Sequence, residues 1–262
     1  HSDNLRPFPP FLPCSPCSLV YPSERLISSL PGPPRLCGLA LGDSGSYDGV
    51  MALTSRDDLR MIYREARGGA VDKVIHELDH HCRDFLAKSP FMVLSTADAN
   101  GTVDGSPKGG EPGFAREIDG GRVAWADSSG NNRLDSFENL VANPSVAMLF
   151  MIPGLNETLR INGTAALLTD SDLCESFSLG DKPAKVVVAV TVDEAYMHCA
   201  KAFRRASLWE PESWLEAEAL PSGVEMLRDH AAIDAPVEVL AERYEADTKA
   251  TLWAPGGGNL DE

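Results

Sequence analysis

The sequence predicts a mixed α+β fold, an antiparallel β-sheet with flanking helices. Three observations carry that expectation. Five strand-like runs lie between Phe91 and Gly163, tight-turn residues separate them, and the apolar period changes to a helical one over residues 132–142.

Phe91-Met92-Val93-Leu94-Ser95-Thr96 is an apolar run of extended character. Asn100-Gly101 follows it, the pair that best tolerates positive φ at both centres of a tight hairpin, so the next strand is expected over Thr102 to Lys108. Gly109-Gly110-Glu111-Pro112-Gly113 breaks the chain, and a second turn at Asp119-Gly120-Gly121 leads into the strand Arg122-Val123-Ala124-Trp125-Ala126. A meander is the economical connection of these runs. From Asn132 to Ala142, Leu134, Phe137 and Val141 recur at helical spacing, Asn131 or Asn132 can cap, and Asn143-Pro144 stops the helix. Val146 to Ile152 then reads as a buried strand and Thr158 to Leu168 as an alternating one. Lys185 to Val192 is the last strong strand run. His198 to Ala206 reads as a short helix whose Lys201, Arg204 and Arg205 form either a solvated basic face or the rim of an anion site. Pro236 to Ala250 reads as an amphipathic helix, with Val237, Leu240, Ala241 and Tyr244 packing on the sheet or on a partner subunit. Gly256-Gly257-Gly258 reads as a loose tail.

The loop Gly130-Asn131-Asn132-Arg133 joins flexible backbone, amide side chains and a fixed positive charge at the start of the expected helix. A helix N-terminus presents unpaired N–H groups and the positive end of the peptide dipole, so an anion there is stabilised. Lys108, ending a neighbouring strand, offers a second cation. On spacing alone, an ordinary capped helix with a solvated Arg explains the loop equally well.

The chain resembles the pyridoxamine 5′-phosphate oxidase-like FMN-binding split barrels, and within them a bacterial subgroup of FMN-dependent enzymes without an assigned substrate. The words that carry the resemblance are Ser89-Pro90-Phe91, Asp104-Gly105-Ser106-Pro107-Lys108-Gly109, Pro112-Gly113-Phe114, Gly130-Asn131-Asn132-Arg133-Leu134-Asp135-Ser136, Asn143-Pro144, Ile152-Pro153-Gly154 and Glu157-Thr158-Leu159-Arg160-Ile161-Asn162-Gly163. His198-Cys199-Ala200-Lys201-Ala202 and Leu208-Trp209 extend it, from about Ser55 to about Gly223.

The resemblance implies a small antiparallel split barrel, a homodimer, and one FMN per subunit at the dimer interface. Ser106, Pro107 and Lys108 match a strand that runs beside the isoalloxazine ring and supplies backbone contacts and a phosphate cation. Ala126 and Asp127 match a pair that touches the ribityl chain and ring edge, where the oxidases usually carry an aromatic and a hydroxyl. Asn131, Asn132 and Arg133 match a phosphate-binding triplet that is more basic in the oxidases. Thr158 and Arg160 match the strand that faces the flavin from the second subunit, and Trp209 matches a residue closing that cleft. Reduction of a flavin places negative charge near N1 and the C2 carbonyl, which a positioned Arg160 guanidinium would stabilise; the competing reading sends Arg160 to solvent or to Glu157. The oxidases end in an Arg-x-His word that holds the substrate, and Pro211 to Glu262 carries no counterpart. The implied function is an FMN-dependent oxidoreductase acting on a small molecule other than pyridoxamine phosphate, with its catalytic residue unassigned. The alternative is a protein that binds flavin or a haem-like ligand without turnover.

Two other constellations compete. His76-Glu77-Leu78-Asp79-His80 fits the H-E-x-x-H spacing of zinc peptidases. Asp79 stands where those enzymes bury an apolar residue, and no third ligand follows, so the expected reading is a polar face on a helix whose apolar stripe is Val74, Ile75, Leu78, Cys82, Phe85 and Leu86; no metal is assigned. Cys14-Ser15-Pro16-Cys17 has redox spacing but lies in a Pro-rich tract without a strand–helix context. Cys37, Cys82, Cys174 and Cys199 are scattered singly, which suits reduced cytosolic thiols, and Cys199 reads as a small buried residue near the cleft.

Composition sets outer bounds. The 262 residues carry a net charge of −16, which argues against a nucleic-acid footprint or an anionic membrane surface, and no run approaches a membrane span. Residues 1–50 hold nine of the 19 prolines and match nothing in the family, with three basic and four acidic residues against 20 and 35 in the rest. The acidity therefore belongs to residues 51–262, which read as a single domain with a C-terminal helical extension. The leader lacks the basic start and apolar core of a signal peptide. It reads as an irregular arm, or as an upstream extension from a misplaced start codon with Met51 as the natural first residue, which the start of the resemblance just after Met51 favours. The expected location is cytoplasmic.

Overall fold

The computed structural model of the protein describes residues 46–47, 50–119, 121–130 and 132–256. Most of the Pro-rich leader, Cys14, Cys17, Cys37, Asn131 and Gly257-Gly258 lie outside the described residues. The chain divides into two compact units, residues 1–65 and 66–262. In the first, β1 (Ser46–Tyr47) and β2 (Val50–Met51) pair antiparallel, and α1 (Arg56–Ile62) starts on a capping box. The Asp58 N–H donates to Ser55 Oγ at 3.1 Å and the Ser55 N–H to Asp58 Oδ2 at 2.9 Å, so two of the orphan donors of the first turn are satisfied.

The second unit runs α2 (Gly69–Asp72), α3 (His80–Lys88), β3 (Phe91–Ala97), β4 (Val103–Gly109), β5 (Arg116–Glu117), β6 (Arg122–Ala126), α4 (Asp135–Ala142), β7 (Ser145–Met151), β8 (Thr158–Leu168), α5 (Ser171–Ser176), β9 (Val187–His198), α6 (Lys201–Ala206), α7 (Gly223–His230) and α8 (Val237–Thr251). Seven strands form one antiparallel sheet in the order β4-β3-β7-β8-β9-β6-β5, left open between its edges β4 and β5. This is the mixed, split antiparallel architecture that the sequence predicts. Among the described residues no helix is long and apolar enough to cross a membrane.

Alternation explains the core. Met92, Leu94 and Thr96 of β3 face the interior with Val146, Met148 and Phe150 of β7 and with Leu159 and Ile161 of β8, in a register that sets Leu94 opposite Met148 and Met148 opposite Ile161. β6 behaves differently: Val123, Ala124 and Trp125 are all buried, as are Val187 to Val190 of β9. One face of this pair joins the main core, and the other packs on Cys174, Phe177 and Ala184 around α5. A strand apolar on both faces needs cover on both sides. That is why β6 pairs with β9 and does not extend a meander from β4, as the order of the runs suggested.

β8 matches its expected bounds, whereas β9 begins two residues later than the run suggested and continues to His198, taking that residue out of the expected helix. The β8–β9 register shifts at Asn162/Gly163. A Cβ on Gly163 would overlap the Thr191 carbonyl oxygen and Val190 Cγ1, so the bulge requires glycine.

Several local expectations are corrected. The first hairpin is wider than a two-residue turn: the Asp98 N–H donates to Thr102 O at 2.9 Å, and of the Asn100-Gly101 pair only Gly101 has positive φ, +88°. Asp98 Oδ1 accepts from the Asn100 and Thr102 N–H groups at 2.8 Å each and holds this three-residue loop. α4 begins at Asp135 with Leu134 as N-cap and no side-chain cap, so Asn132, at φ +57°, does not cap it. Its buried face is Ser136, Asn139 and Leu140, while Leu134 and Val141 are exposed. Asn139 is buried because Nδ2 donates to Thr96 Oγ1 at 3.0 Å and to Asp104 Oδ2 at 2.8 Å.

α3 begins at His80, since Asp79 accepts from the Cys82 N–H at 2.8 Å and caps the helix there. Ile75 instead bridges to Ala195 of β9, with N···O distances of 3.0 and 2.8 Å. His76 and His80 therefore do not share a helix face, and the peptidase arrangement is absent. α8 forms as expected but buries none of its residues and packs on α7, with Tyr244 exposed.

Gly163→Ala is expected to destabilise the protein by about 2–3 kcal/mol, because the contact is with backbone that no rotamer relieves. Thermal unfolding should show Tm lowered by roughly 4–10 °C; an unchanged Tm would mean that the bulge relaxes around a methyl group.

Candidate functional site

Pairing with β3 sets the direction of β4. Lys108 lies opposite Met92, Ser106 opposite Leu94 and Asp104 opposite Thr96, so these three side chains share the core-side face of the sheet. Asn139 ties α4 to β3 and β4, and this brings the residues before and within the first turn of α4 over that face. A cleft of about 240 Å³ lies between them, lined by Ser106, Pro107, Lys108, Asp127, Arg133 and Phe137, with Asp104 and Asp135 at its sides. Five of the residues expected at the site therefore come together: Ser106, Pro107, Lys108, Asp127 and Arg133. Asn132 lies beside the cleft without lining it.

The charges in this cleft nearly balance. Asp135 Oδ2 accepts from Arg133 Nε at 2.9 Å, and Asp104 accepts from Asn139. Asp127 is the carboxylate on which the Lys108 charge acts. Burial pushes its carboxyl above the usual range, and the Lys108 cation opposes that effect. The Asp127 N–H donates to Val186 O at 2.9 Å.

Ala126, the neighbour of Asp127, points the other way along the strand. It lines a separate cavity of about 230 Å³ with Gly110, Phe114, Arg116, Phe177 and Trp253. The Arg116 guanidinium lies 3.7 Å from the centroid of the Phe177 ring and donates to Ser176 O at 2.5 Å. The expected pairing of Ala126 with Asp127 at one site does not occur within a single chain, because successive residues of a strand face opposite sides.

Thr158 and Arg160 line a third cleft, about 400 Å³, with Ser95, Leu149, His198, Cys199 and Phe203. It lies on the opposite face of the sheet from the first: Ser95 and Leu94 are successive residues of β3, and Leu149 and Met148 of β7. Arg160 neither reaches Glu157 nor points to solvent unheld. Its Nε donates to Asn162 Oδ1 at 3.0 Å, Asn162 Nδ2 donates to Glu194 Oε1 at 2.6 Å, and the guanidinium lies 5.7 Å from the Tyr196 ring centroid. Burial, with Lys73 and Arg160 nearby, holds the His198 imidazole below its usual range. Cys199 is exposed on this cleft, contrary to the expectation of a small buried residue. Trp209 does not line the cleft it was expected to close: Nε1 donates to Leu155 O at 2.9 Å, and the ring lies 5.9 Å from that of Phe203, which does line it. Lys201, Arg204 and Arg205 lie on the exposed side of α6.

Ser95, Leu149 and His198 escaped the sequence reading, since only the cross-strand register brings them beside Arg160. The residues around the H-E-x-x-H word have other partners. His76 Nδ1 lies 2.8 Å from Asp193 O, and the ligand atoms of Asp79, His80 and His81 cluster on the surface around the α3 N-terminus.

Residues 78–199 match the family described as Pyridoxamine 5'-phosphate oxidase. Among solved structures, HupZ of Group A Streptococcus is 18% identical, with a TM-score of 0.38, over 46% of this chain and 93% of that one. General stress protein 26 from Bacillus anthracis str. Sterne is 16% identical, with a TM-score of 0.34, over 45% and 93% of the two chains. A Clostridium acetobutylicum protein related to general stress protein 26, of the pyridoxinephosphate oxidase family, is 16% identical, with a TM-score of 0.32, over 45% and 85%. No curated protein matches the chain.

Because burial raises the folded-state pKa of Asp127, the stability linked to this group is fully present below the ordinary carboxylate range and is lost as pH rises through the raised value. Asp127→Asn is therefore expected to raise Tm at pH 7.5 by a few degrees, with the gain shrinking toward pH 4. Thermal unfolding of both proteins across that range checks it, and a variant less stable than wild type at pH 7.5 would contradict it.

Proposed function

We propose, from the match of residues 78–199 to the pyridoxamine 5′-phosphate oxidase family, that the protein is an FMN-dependent oxidoreductase, working as a homodimer with the flavin held between subunits. One observation carries this reading. The residues that the resemblance assigns to a single cofactor fall into two clefts on opposite faces of one sheet, Ser106, Pro107, Lys108, Asp127 and Arg133 in one, Thr158 and Arg160 in the other. A site that uses both sets takes the first from one copy and the second from another.

The chemistry of the donors fits the two ends of FMN. The first cleft, at about 240 Å³, is below the size of a whole cofactor pocket and offers the Lys108 ammonium, the Arg133 guanidinium and the Ser106 hydroxyl to a phosphate. The second is larger and more apolar, with Leu149 and Phe203 beside one held guanidinium, which suits a planar ring. When bound, the flavin supplies the redox chemistry. The protein's part is to bind, orient and stabilise charge: Lys108 anchors the phosphate, and Arg160, kept in place by Asn162 and Glu194, stabilises the negative charge that reduction brings to the ring. With Asp104, Asp127 and Asp135 in its lining, this pocket is less cationic than that of the vitamin B6 oxidases, and without their Arg-x-His word the substrate is a small molecule other than pyridoxamine phosphate.

The purified protein is expected to take up FMN and to run at the mass of a dimer; a protein that stays colourless in excess FMN contradicts the proposal. Lys108→Ala should weaken FMN binding by about 10–100-fold, the loss of one charge-assisted contact. Arg160→Leu should lower the midpoint potential of the bound flavin, measured by anaerobic titration, and an unchanged potential would remove the role given to Arg160.

A further inference from the structure

The C-terminal segment packs against Asp127, one of the residues that line the first cleft. Ser128 bridges antiparallel to Pro255, the Ser129 N–H donates to Ala254 O at 2.8 Å, and the Gly256 N–H donates to Asp127 O at 3.0 Å. The two bonds come from the residues flanking Pro255, so the missing proline N–H leaves no gap in the ladder. Gly256 is buried, not part of a loose tail, and a Cβ added to it would overlap the Asp127 carboxylate at Oδ2 and Cγ. The carboxylate therefore sits in a seat that exists only because residue 256 has no side chain.

We propose that Ala254–Gly256 is a strap that seats Asp127 in the lining of the Lys108 cleft, and that Gly256 is a positioning residue that keeps the Asp127 carboxylate out of the space of the anion that Lys108 binds. With the strap in place, the carboxylate is half-buried beside the β6 terminus and the Lys108 ammonium remains available to a phosphate. A side chain at position 256 pushes the carboxylate forward, toward Lys108, where it is more hydrated and competes with the ligand's phosphate. The charged groups around Asp127 are Lys108 and Asp104 from β4, and Arg133 and Asp135 at the start of α4. Lys185 stands one residue before the Val186 carbonyl that accepts the Asp127 N–H. The strap residues Ala254, Pro255 and Gly256 carry no charge of their own. The strap is thus an uncharged seat whose contribution is shape.

The ligand-binding part of this inference rests on the flavin reading above, whereas the seating of the carboxylate does not, and the two are measured separately. Without ligand, Gly256→Ala should reduce the change in Tm between pH 4 and pH 8 that is removed by Asp127→Asn, because a displaced carboxylate is less buried. Identical pH profiles for Gly256→Ala and wild type would overturn the seating. With FMN, Gly256→Ala should weaken binding about tenfold at pH 8, and Asp127→Ala/Gly256→Ala should bind as Asp127→Ala alone. A loss that persists in the Asp127→Ala background would show that the strap acts without the carboxylate and would overturn the positioning role. Should the wild-type protein take up no FMN while the pH profiles differ as expected, the flavin reading fails and the seat of Asp127 stands.

Discussion

The antiparallel pairing of β8 with β9 is the constraint on which the rest of the structure hangs. It runs the full length of β8, and each strand passes the sheet on: β8 carries β7, β3 and β4 on one side, while β9 carries β6 and β5 on the other. The bulge at Gly163 divides this pairing into two regimes. On one side of it, Val187 to Val190 are buried on both faces by the main core and by the cluster around α5. On the other side, β9 alternates, pairs beyond β8 only with Ile75, and leaves Arg160, Tyr196 and His198 on an uncovered face. One strand thus supplies both a closed core and an open cleft, and the change occurs where the chain has no Cβ.

A second, smaller device fixes the other cleft. α4 is short, has no side-chain cap and exposes two of its apolar residues, so propensity alone would hold it poorly. What locates it is Asn139, a buried amide donating to both Thr96 and Asp104. In a poorly hydrated setting such bonds are directional and expensive to leave unmade. They fix the distance between the Arg133 end of the helix and the Ser106–Lys108 strand, and therefore the width of the cleft.

Charge decides what that cleft can hold. The protein is strongly acidic, and in the Lys108 cleft two basic residues face three carboxylates. Two of those carboxylates are spoken for, by Arg133 and by Asn139, and the third is half-buried against a glycine. On the proposed reading, what the cleft can hold turns less on the number of cations than on where Gly256 seats Asp127, a matter of shape.

The sequence by itself determined the strands at Phe91, Arg122 and Thr158, the antiparallel class, the helix stop at Asn143-Pro144 and the family resemblance that residues 78–199 carry. Each of these rests on local chemistry: turn residues, period-two alternation, or short words in order. It also named Ser106, Pro107, Lys108, Asp127 and Arg133, which the fold gathers into one cleft. It misjudged the cap of α4 and the start of α3, where a leucine and an aspartate won against Asn132 and the apolar period, and it took Gly256 for a loose end. Only the tertiary structure decided that Ala126 and Asp127 serve different cavities, that Thr158 and Arg160 open on the far face, and that β6 joins β9. Those facts follow from which strands pair and in what register, and pairing joins residues far apart in the chain, where no local pattern records it.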